Sequence, residues 1–432
     1  MGAPPLSYAA GMTTEAPDLL HLSLIAGGQL RDTSGGRLGK VDDLIVRLGD
    51  ADFPPVSGAL ASVANRQVYV PADQIGSIAH GRVDLRSERL DVQPFVRRPQ
   101  EVLLRKDVLD RQLINVDGAR LVRANEIELA RLDGWYRVVG VETGMRSVLR
   151  RLLPRPLAER VRADRFLSWA SVEPFTGHVP TVRLRIPHPK LARLHPAQLA
   201  DLVEAASHLE GREIIEAVKT DQEREADLFE ELDDQHRLEF IEERSDRDVA
   251  AVLAEMEPDD AADLVAQLPE ERRESVVRTL PIAQRRRVRR LLGYDPSTAG
   301  GLMSPEFVCV YGQAIQAEVM AKIRRSRAPA EVLTAVYVMG PDRRLIGGIA
   351  LADLLRADPD VELDRMAVRG AARVSADAEL EEVARLMSDY DLNAVPVVDE
   401  REQMIGVVTV DDVLEVVLPR SWRRQFGVFG SE

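Results

Sequence analysis

Residues 256–269 read MEPDDAADLVAQLP, and this stretch decides how the middle of the chain folds. Pro258 stands where a helix would begin, at the helical position that proline tolerates best. Asp259 and Asp260 follow it, and acidic residues in a first turn oppose the positive end of the helix dipole. Two interpretations are open at this point: the two acids only help to start a helix, or they bind a cation.

A second copy of this stretch, LHPAQLADLVEAAS, begins 62 residues earlier. It also has a proline at the start of its helix, but Ala197 and Gln198 stand where the later copy has Asp259 and Asp260. The doubled acid is therefore not required to start this kind of helix, which favours the cation site. Asp263 has an equivalent aspartate in the earlier copy, so a packing or capping role also remains open for it.

Two further duplications organise the chain. QLRDTSGGRLGKVDDLIVRL from Gln29 returns, 83 residues on, as QLINVDGARLVRANEIELARL. Each copy places a turn between short alternating strands, which predicts a small β-barrel or curled sheet. LIGGIALADLL from Leu345 returns, 59 residues on, as MIGVVTVDDVL. Each of these is a strand that runs into a helix, and the flanking patterns predict a β-α-β-β-α unit in tandem.

These patterns together predict a multidomain α+β protein. It would contain one or more N-terminal small β-barrels, an all-α superstructure of helical hairpins, and then the tandem β-α-β-β-α pair. A chain of 432 residues with 45% apolar residues is long enough for several cores. We find no run of about 18 apolar residues, so we expect no membrane span. The single cysteine, Cys309, allows no intramolecular disulfide and fits a reducing cytosol.

The negative charge is concentrated in one segment. The formal net charge is −14, and residues 201–265 alone hold 23 Asp and Glu against 6 Lys and Arg. Such an excess repels itself and attracts cations or a basic partner. It also argues against a nucleic-acid partner for this segment. We expect no enzyme: the seven histidines form no metal-ligand spacing such as HExxH, and no histidine partner is indicated for Cys309.

A hydroxyl and a carboxylate flank the last strand-to-helix turn. Thr409 stands three residues before Asp412, a spacing that suits the phosphate and ribose hydroxyls of a nucleotide. The alternative is that both residues only cap the helix. Ala350 replaces the threonine in the earlier copy, so a nucleotide half-site there would lack the hydroxyl.

From about residue 187 to 417 the chain resembles the cytosolic part of MgtE-type magnesium channels. MEPDDAADLVAQLP, LLGYDPSTAGGLMSPEFVCV and EEVARLMSDYDLNAVPVVDEREQMIGVVTVDDVLEVV carry the resemblance, in the family's order. In that family an acidic helical N domain and a tandem pair of cystathionine-β-synthase (CBS) domains form a Mg²⁺ sensor. Their acidic faces are bridged by Mg²⁺ when it is plentiful and separate when it is scarce.

The resemblance implies a set of site residues in this chain. The metal ligands would come from Asp259, Asp260, Asp263, Asp411, Asp412 and Glu415. The adenine-nucleotide pattern of CBS pairs falls on Thr409 and Asp412. Four further acids match the family with weaker functional support, namely Glu381, Glu382, Asp389 and Asp391. Because Mg²⁺ keeps several waters, one or two carboxylates per ion are enough, and each site would be weak.

Two departures from the family put part of this sensor in doubt. After the CBS pair the chain reads LPRSWRRQFGVFGSE, which is basic and aromatic where the family's plug helix is acidic. Ser297 and Thr298 stand where the family often has acids. Part of the sensor surface is therefore kept and part is lost.

The N-terminal duplication resembles PRC-barrel domains, which are docking domains. DTSGGRLGKVDDLIV carries this resemblance, and its echo 83 residues later is degenerate. The predicted organisation is a disordered tail at 1–18, a PRC-barrel-like domain at 19–95, a degenerate second repeat with a basic helix at 96–180, an MgtE N-like acidic helical domain at 187–292, CBS domains at about 293–360 and 361–418, and a basic, aromatic tail at 419–432.

Three functions remain open from the sequence. The first is a Mg²⁺-responsive regulatory protein linked to magnesium homeostasis or transport, with Mg²⁺ as a weak regulatory ligand. The second is a CBS regulator that senses an ATP- or AMP-type nucleotide, and the third is a PRC-barrel scaffold with a degenerate sensor. The resemblance implies a homodimer through the CBS domains and a protein partner such as a membrane transporter. It also implies a location in the cytoplasm or at the inner face of the membrane.

Overall fold

The computed structural model describes most of the chain and divides it into two compact units, Met1–Thr220 and Asp221–Glu432. The described residues are 19–49, 51–87, 93–98, 100–153, 155–158, 165–175, 188, 190–326 and 328–418. The tails predicted at 1–18 and 419–432 lie outside them, as does most of the proline-rich segment after residue 175.

The N-terminal unit is built mainly from short strands. Its strands are β1 Leu20–His21, β2 Gln29–Arg31, β3 Arg37–Arg47, β4 Val56–Val63, β5 Arg66–Pro71, β6 Ile75–Ala79, β7 Arg82–Leu85, β8 Gln93–Pro94, β9 Glu101–Leu103, β10 Gln112–Asn115, β11 Arg120–Arg123, β12 Glu126–Leu132, β13 Trp135–Glu142, β14 Phe166–Ser168 and β15 Val172–Pro174. Its helices are α1 Leu22–Ile25, α2 Met145–Leu152, α3 Arg155–Ala158, α4 Pro196–Ala205 and α5 His208–Val218.

These strands form three sheets around a shared core. One sheet has the order β6-β7-β2-β3-β4-β5-β8, with β9 also paired to β3. The others have the orders β1-β12-β13-β14 and β11-β10-β15. One apolar cluster draws on strands from all three sheets, including Leu44, Ile127 and Val172, all fully buried. The N-terminal half is therefore rich in β-strands, as the sequence predicts.

The duplicated hairpins have the same strand register. Gln29 pairs with Lys40 in the first hairpin, and Gln112 pairs with Arg123 in the second. Both members of the second pair lie 83 residues after those of the first, which is the offset seen in the sequence.

The two copies are interlocked. Strand β9, which precedes the second hairpin, pairs with β3 of the first copy, and β1, which precedes the first hairpin, pairs with β12 of the second. A buried acid of each copy also hydrogen bonds to the other copy. Asp43 accepts the backbone N–H groups of Arg105 at 2.7 Å and Lys106 at 3.0 Å. Glu126 accepts the backbone N–H of Ser23 at 3.0 Å. The boundary predicted at residues 95 and 96 therefore separates segments whose strands pair across it.

The C-terminal unit begins with short helices joined by two or three residues. They are α6 Gln222–Glu231, α7 Asp234–Glu242, α8 Asp246–Glu255, α9 Pro258–Gln267, α10 Glu270–Thr279, α11 Ile282–Leu291 and, after a longer connection, α12 Ala299–Leu302. Asp221, Asp233 and Ser245 cap the first three by accepting backbone N–H groups of their first turns. Helix α8 packs on α6 and α10, and α9 packs on α11, which gives the stacked hairpins predicted from the sequence.

The tandem repeat follows in the same unit. Its strands are β16 Cys309–Tyr311, β17 Ala335–Met339, β18 Leu345–Ala350, β19 Val368–Arg369, β20 Val374–Ser375, β21 Ala394–Val398 and β22 Met404–Thr409. Its helices are α13 Gln316–Ile323, α14 Leu351–Arg356, α15 Leu380–Tyr390 and α16 Val410–Val417.

Both copies of this repeat have the β-α-β-β-α order, and they share an irregularity. The ladder between β17 and β18 shifts register between Val338 and Met339, and that between β21 and β22 shifts between Val397 and Val398. The shifts lie 59 residues apart, as the sequence repeat does. Helix α16 therefore leaves the end of β22 at the same place in its copy as α14 leaves β18.

Candidate functional site

Helix α9 carries the doubled aspartate of the opening stretch. Pro258 starts the helix, and Ala261, Leu264 and Val265 are buried along it. The N-cap residue, Glu257, makes no side-chain cap. The helix is therefore held mainly by its apolar face rather than by a side-chain cap.

These acids line a cleft of about 320 Å³ together with the start of α16. Its lining residues are Asp234, Arg237, Asp259, Asp260, Asp263, Gln267, Gly301, Leu302, Asp412, Glu415, Val416 and Leu418. Six of these twelve side chains are carboxylic acids and one is a guanidinium. The cleft therefore has a strong excess of negative charge.

Asp259 is the most confined of the acids. The residue is 9% exposed, and its Oδ1 atom is buried without a hydrogen-bond partner. Burial raises the pKa of Asp259 well above its usual value, and the charges of Asp412 and Glu257 raise it further. Burial also raises the pKa of Asp260, followed by the charges of Asp259 and Glu230. A bound cation would offset both effects.

Two further acids of the cleft have a pKa about one unit below neutral pH. Burial raises the pKa of Asp263 to about 6, although the guanidinium of Arg237 acts in the opposite direction. Burial raises the pKa of Asp412 to about 6 as well, against the hydrogen bonds from Thr409. The affinity of the cleft for a cation should therefore depend on pH near neutrality.

Arg237 is held by main-chain oxygens. Its Nη2 atom donates to the carbonyl oxygen of Leu232 at 2.8 Å and to that of Glu230 at 3.0 Å, at the end of α6. The buried guanidinium thus fixes the end of a helix and places one positive charge at the edge of the cleft.

Thr409 and Asp412 form a reciprocal helix cap. The backbone N–H of Thr409 donates to Asp412 Oδ2 at 2.7 Å, and that of Asp412 donates to Thr409 Oγ1 at 3.3 Å. Thr409 is 3% exposed. The two residues therefore cap the helix, which is one of the two roles that the sequence left open. Asp412 also lines the acidic cleft. Their role in nucleotide binding stays a prediction.

The structure adds three acids to those predicted: Asp234 lines the cleft, and Glu257 and Glu230 act on Asp259 and Asp260 from beside it. Burial raises the pKa of Glu230 and of Glu257 to about 7, and the charge of Glu230 adds to the effect on Glu257. The backbone N–H of Glu257 donates to Glu230 Oε1 at 2.7 Å. Glu257 lies in the stretch MEPDDAADLVAQLP, one residue before Pro258, so it could have been identified as a candidate from the sequence. Glu230 comes from α6, and no local pattern connects it with α9.

Some predicted residues lie elsewhere. Asp411 is exposed and does not line the cleft, because consecutive residues on a helix point in different directions. Glu381 and Glu382 lie in the first turn of α15, where acids suit the helix dipole. Asp389 is exposed near the end of that helix, and Asp391 adopts a left-handed conformation just after it, with φ of 53°.

The cleft does not form a ready-made cage for a bare ion. Among the described residues, no three of its acids bring ligand oxygens within 4.8 Å of one another. An ion that keeps part of its water shell needs no such cage, and Mg²⁺ is bound in this way. The donor set of carboxylate oxygens around the orphaned Asp259 oxygen therefore fits a hydrated Mg²⁺ ion.

Comparisons with known proteins agree with this part of the structure. The profile of the MgtE intracellular N domain matches residues 194–297, and that of the CBS domain matches residues 367–419. A crystal structure of the cytosolic domain of the Mg²⁺ channel MgtE in complex with ATP aligns with 52% of this chain and 92% of that one. Its TM-score is 0.50 and its identity 31%. The chain belongs to the family of the MgtE cytosolic domain.

Curated MgtE proteins match a shorter region. The magnesium transporter MgtE of Thermus thermophilus is 42% identical over 130 residues, and that of Enterococcus faecalis is 33% identical over 130 residues. Each alignment covers 30% of this chain and 29% of the transporter. The chain thus spans less than a third of the length of these MgtE proteins. Within the described residues, no helix combines the length and the apolar character that crossing a bilayer requires.

Proposed function

We propose that the MgtE-like region is a Mg²⁺-responsive regulatory module and that its role is not enzymatic. Hydrated Mg²⁺ would bind between the acids of α9, namely Asp259, Asp260 and Asp263, and those of α16, namely Asp412 and Glu415. The ions would hold the acidic helices against the second CBS domain. Asp411, which lies outside the cleft, is not part of this proposal.

The observation that carries the proposal is the buried Oδ1 atom of Asp259, which has no hydrogen-bond partner. A buried carboxylate oxygen without a partner is costly unless the group is neutralised. The other acids of the cleft raise that cost, and Arg237 supplies a single counter-charge. A divalent cation would remove more of the repulsion than one arginine does.

The regulatory logic is linkage. An ion that binds only the closed arrangement of the cleft shifts the population toward it, by an amount that depends on its concentration relative to its dissociation constant. Several weak sites that act together would stay empty at low Mg²⁺ concentration and fill as the concentration rises toward their dissociation constants.

Thermal unfolding of the full chain tests the proposal. We expect MgCl₂ to raise the melting temperature more than KCl of matched ionic strength, and the difference to be lost in Asp259→Asn/Asp260→Asn. Glu381→Gln/Glu382→Gln is the matched control, because it removes two adjacent acids from a helix start outside the cleft. The proposal fails if both double variants keep the wild-type Mg²⁺ response, or if KCl stabilises the wild type equally.

An adenine nucleotide is a second candidate ligand. Two observations favour it: the solved MgtE cytosolic domain contains ATP, and Thr409 with Asp412 occupies the strand-to-helix turn of the second CBS copy. Calorimetric titration with ATP and AMP, with and without Mg²⁺, tests it. If no heat of binding is measured in either condition, Thr409 and Asp412 serve only as a helix cap.

We also propose a homodimer through the CBS helices and a membrane transporter as the partner that is regulated. Helices α15 and α16 pack together and carry exposed apolar side chains, including Tyr390 at 63% and Val417 at 56%. Sedimentation equilibrium of the wild type and of Tyr390→Ser/Val417→Ser tests the dimer. A wild-type monomer at micromolar concentration would contradict it.

A further inference from the structure

A separate cluster of titratable side chains is buried in the N-terminal unit. It comprises His21, Glu126, Glu128, Glu142 and Arg150. The three glutamates and the arginine are 0% exposed. His21 is partly buried, and its ring stacks on that of another histidine with 5.4 Å between the ring centroids.

The hydrogen bonds within this cluster leave several oxygens without partners. Arg150 Nη2 donates to Glu142 Oε1 at 3.0 Å, and Arg150 Nη1 lies 3.1 Å from His21 Nδ1. Glu126 accepts the backbone N–H and the hydroxyl of Ser23. Both carboxylate oxygens of Glu128 and Oε2 of Glu142 are buried and accept no hydrogen bond from a donor group, and the two carboxyl groups face each other. These three oxygens require a proton or a cation.

The other copy of the duplicated fold shows that such charges are not needed at this place. Glu128 pairs with Gly140 on one side and with His21 on the other. Its equivalent in the first copy is Ile45, which pairs in the same way with Gly58 and Leu103.

The third glutamate has an apolar counterpart as well. Glu142 pairs with Glu126, and the equivalent pair in the first copy is Leu60 with Asp43. Ile45, Leu60 and Leu103 belong to one small apolar cluster. The second copy therefore has His21, Glu128 and Glu142 where the first packs aliphatic side chains. The difference points to a ligand rather than to packing.

The charges of the cluster do not balance. Three carboxylates face one guanidinium, which lies 3.0 Å from Glu142 Oε1 through Arg150 Nη2 and 3.9 Å from Glu126 Oε2 through Nη1. With all three glutamates ionised, the buried cluster has an excess of two negative charges, which one divalent cation would neutralise.

We propose that His21, Glu128 and Glu142 bind a divalent transition-metal cation of the Zn²⁺ type. One ligand atom of each residue lies within 4.8 Å of the others, and His21 Nδ1 is 3.6 Å from Glu128 Oε1. Ligands bonded tetrahedrally to zinc at about 2.0–2.2 Å lie about 3.3–3.6 Å apart, so only small side-chain movements are required. An imidazole beside two carboxylates suits Zn²⁺ better than Mg²⁺, which prefers oxygen ligands alone.

Arg150 would change partner when the ion binds. Its Nη1 atom now faces the His21 nitrogen that the metal ion would take, and Glu126 Oε2 lies 3.9 Å from that same Nη1 atom. Arg150 would then join Glu126 and keep its bond to Glu142, which orients that ligand from outside the coordination sphere.

The test uses the full chain with Asp259→Asn/Asp260→Asn, so that the acidic cleft contributes little to metal binding. After treatment with a chelator, the protein is dialysed against Zn²⁺ and its metal content is measured by mass spectrometry. Co²⁺ then serves as a spectroscopic probe of coordination. We expect one Zn²⁺ per chain and a visible Co²⁺ band, both lost in Glu128→Gln, while circular dichroism shows an unchanged fold.

Two further variants keep the test decisive. Glu101→Gln removes another buried glutamate of the same unit and should bind Zn²⁺ as its parent does. Glu128→Ile introduces the residue of the first copy and should fold without binding the metal ion. The proposal is overturned if the parent binds neither Zn²⁺ nor Co²⁺, which would leave a proton shared between Glu128 and Glu142. It is also overturned if Glu128→Gln and Glu128→Ile bind as well as the parent.

Discussion

Asp412 is the carboxylate whose charge acts most strongly on the buried Asp259, although the two residues belong to different parts of the chain. Asp259 lies in the first turn of α9, and Asp412 lies in the first turn of α16. Both line the acidic cleft. The folded chain thus holds two acids of separate helices against each other, an arrangement that a cation would stabilise.

Replacing Asp412 by Asn separates this repulsion from the helix cap. The amide oxygen of Asn can still accept the N–H of Thr409, so the cap survives while the negative charge is removed. Without Mg²⁺ we expect a gain of about 1 kcal/mol in the free energy of unfolding, which corresponds to about 2–4 °C in melting temperature for a unit of this size. The stabilisation by Mg²⁺ should shrink. A melting temperature below that of the wild type in Mg²⁺-free buffer would contradict this prediction.

Stability should depend on pH through the same acids. Asp263 and Asp412 have a pKa of about 6 in the folded chain, raised from 3.8, so protonation favours the folded state. That contribution is complete below about pH 4 and is lost as the pH rises through about 6. Other acids of the chain also titrate, so the informative quantity is the difference between the wild type and Asp263→Asn/Asp412→Asn.

Calorimetric melting at pH 4, 5, 6 and 7 measures this difference. Without Mg²⁺ the wild type should lose stability relative to the double variant as the pH rises, because its cleft acids become charged. Saturating Mg²⁺ should reduce that loss, since the ion binds the ionised carboxylates. Parallel curves for the two proteins would show that the cleft acids do not repel one another.

The cap of α16 gives a prediction that is independent of Mg²⁺. Thr409→Ala removes the hydroxyl that accepts the N–H of Asp412 and should cost about 1 kcal/mol of stability. Thr409→Ser, which keeps the hydroxyl, should cost less. Urea denaturation monitored by circular dichroism measures both. If Thr409→Ala abolishes ATP binding and leaves stability unchanged, the hydroxyl serves a nucleotide and the cap is incidental.

The strand pairing between the two copies of the N-terminal unit predicts the effect of a substitution and of a truncation on its stability. Asp43→Ala removes the acceptor for the N–H groups of Arg105 and Lys106, and should cost about 1–3 kcal/mol because those donors are left unsatisfied. Asp43 uses a different oxygen for each donor, so Asp43→Asn keeps one of the two acceptors and should lose less stability than Asp43→Ala. The same geometry predicts that a fragment of residues 19–95 does not fold alone, since β9 and β12 are missing from it. A well-dispersed amide NMR spectrum from that fragment would contradict this strand pairing.

Periodic patterns and repeats made much of the fold predictable. The offsets of 83 and 59 residues reappear in the strand registers, because the same alternation of side chains selects the same pairing in each copy. The acidic helices were equally visible from their caps and apolar spacing. The pairing of strands between the first two copies was not visible in the sequence. Sequence similarity shows that two segments are alike, but it does not show which strand each segment pairs with.

The candidate site was predictable only where it lies within one motif. Asp259, Asp260 and Asp263 share one helix, and the family resemblance supplied Asp412 and Glu415. Neither source indicated that Glu230 would approach Glu257, because that contact depends on how two helices pack. The buried cluster around Glu128 was missed for a similar reason: its members come from strands and a helix that are distant in the sequence.

The most direct test of the Mg²⁺-responsive module is small-angle X-ray scattering of the full chain over roughly 0–20 mM MgCl₂, with KCl of matched ionic strength as the reference. The account predicts that Mg²⁺ and not KCl reduces the radius of gyration, and that Asp259→Ala/Asp260→Ala abolishes this change. A radius that does not respond to Mg²⁺, or that falls equally in KCl, would contradict the account.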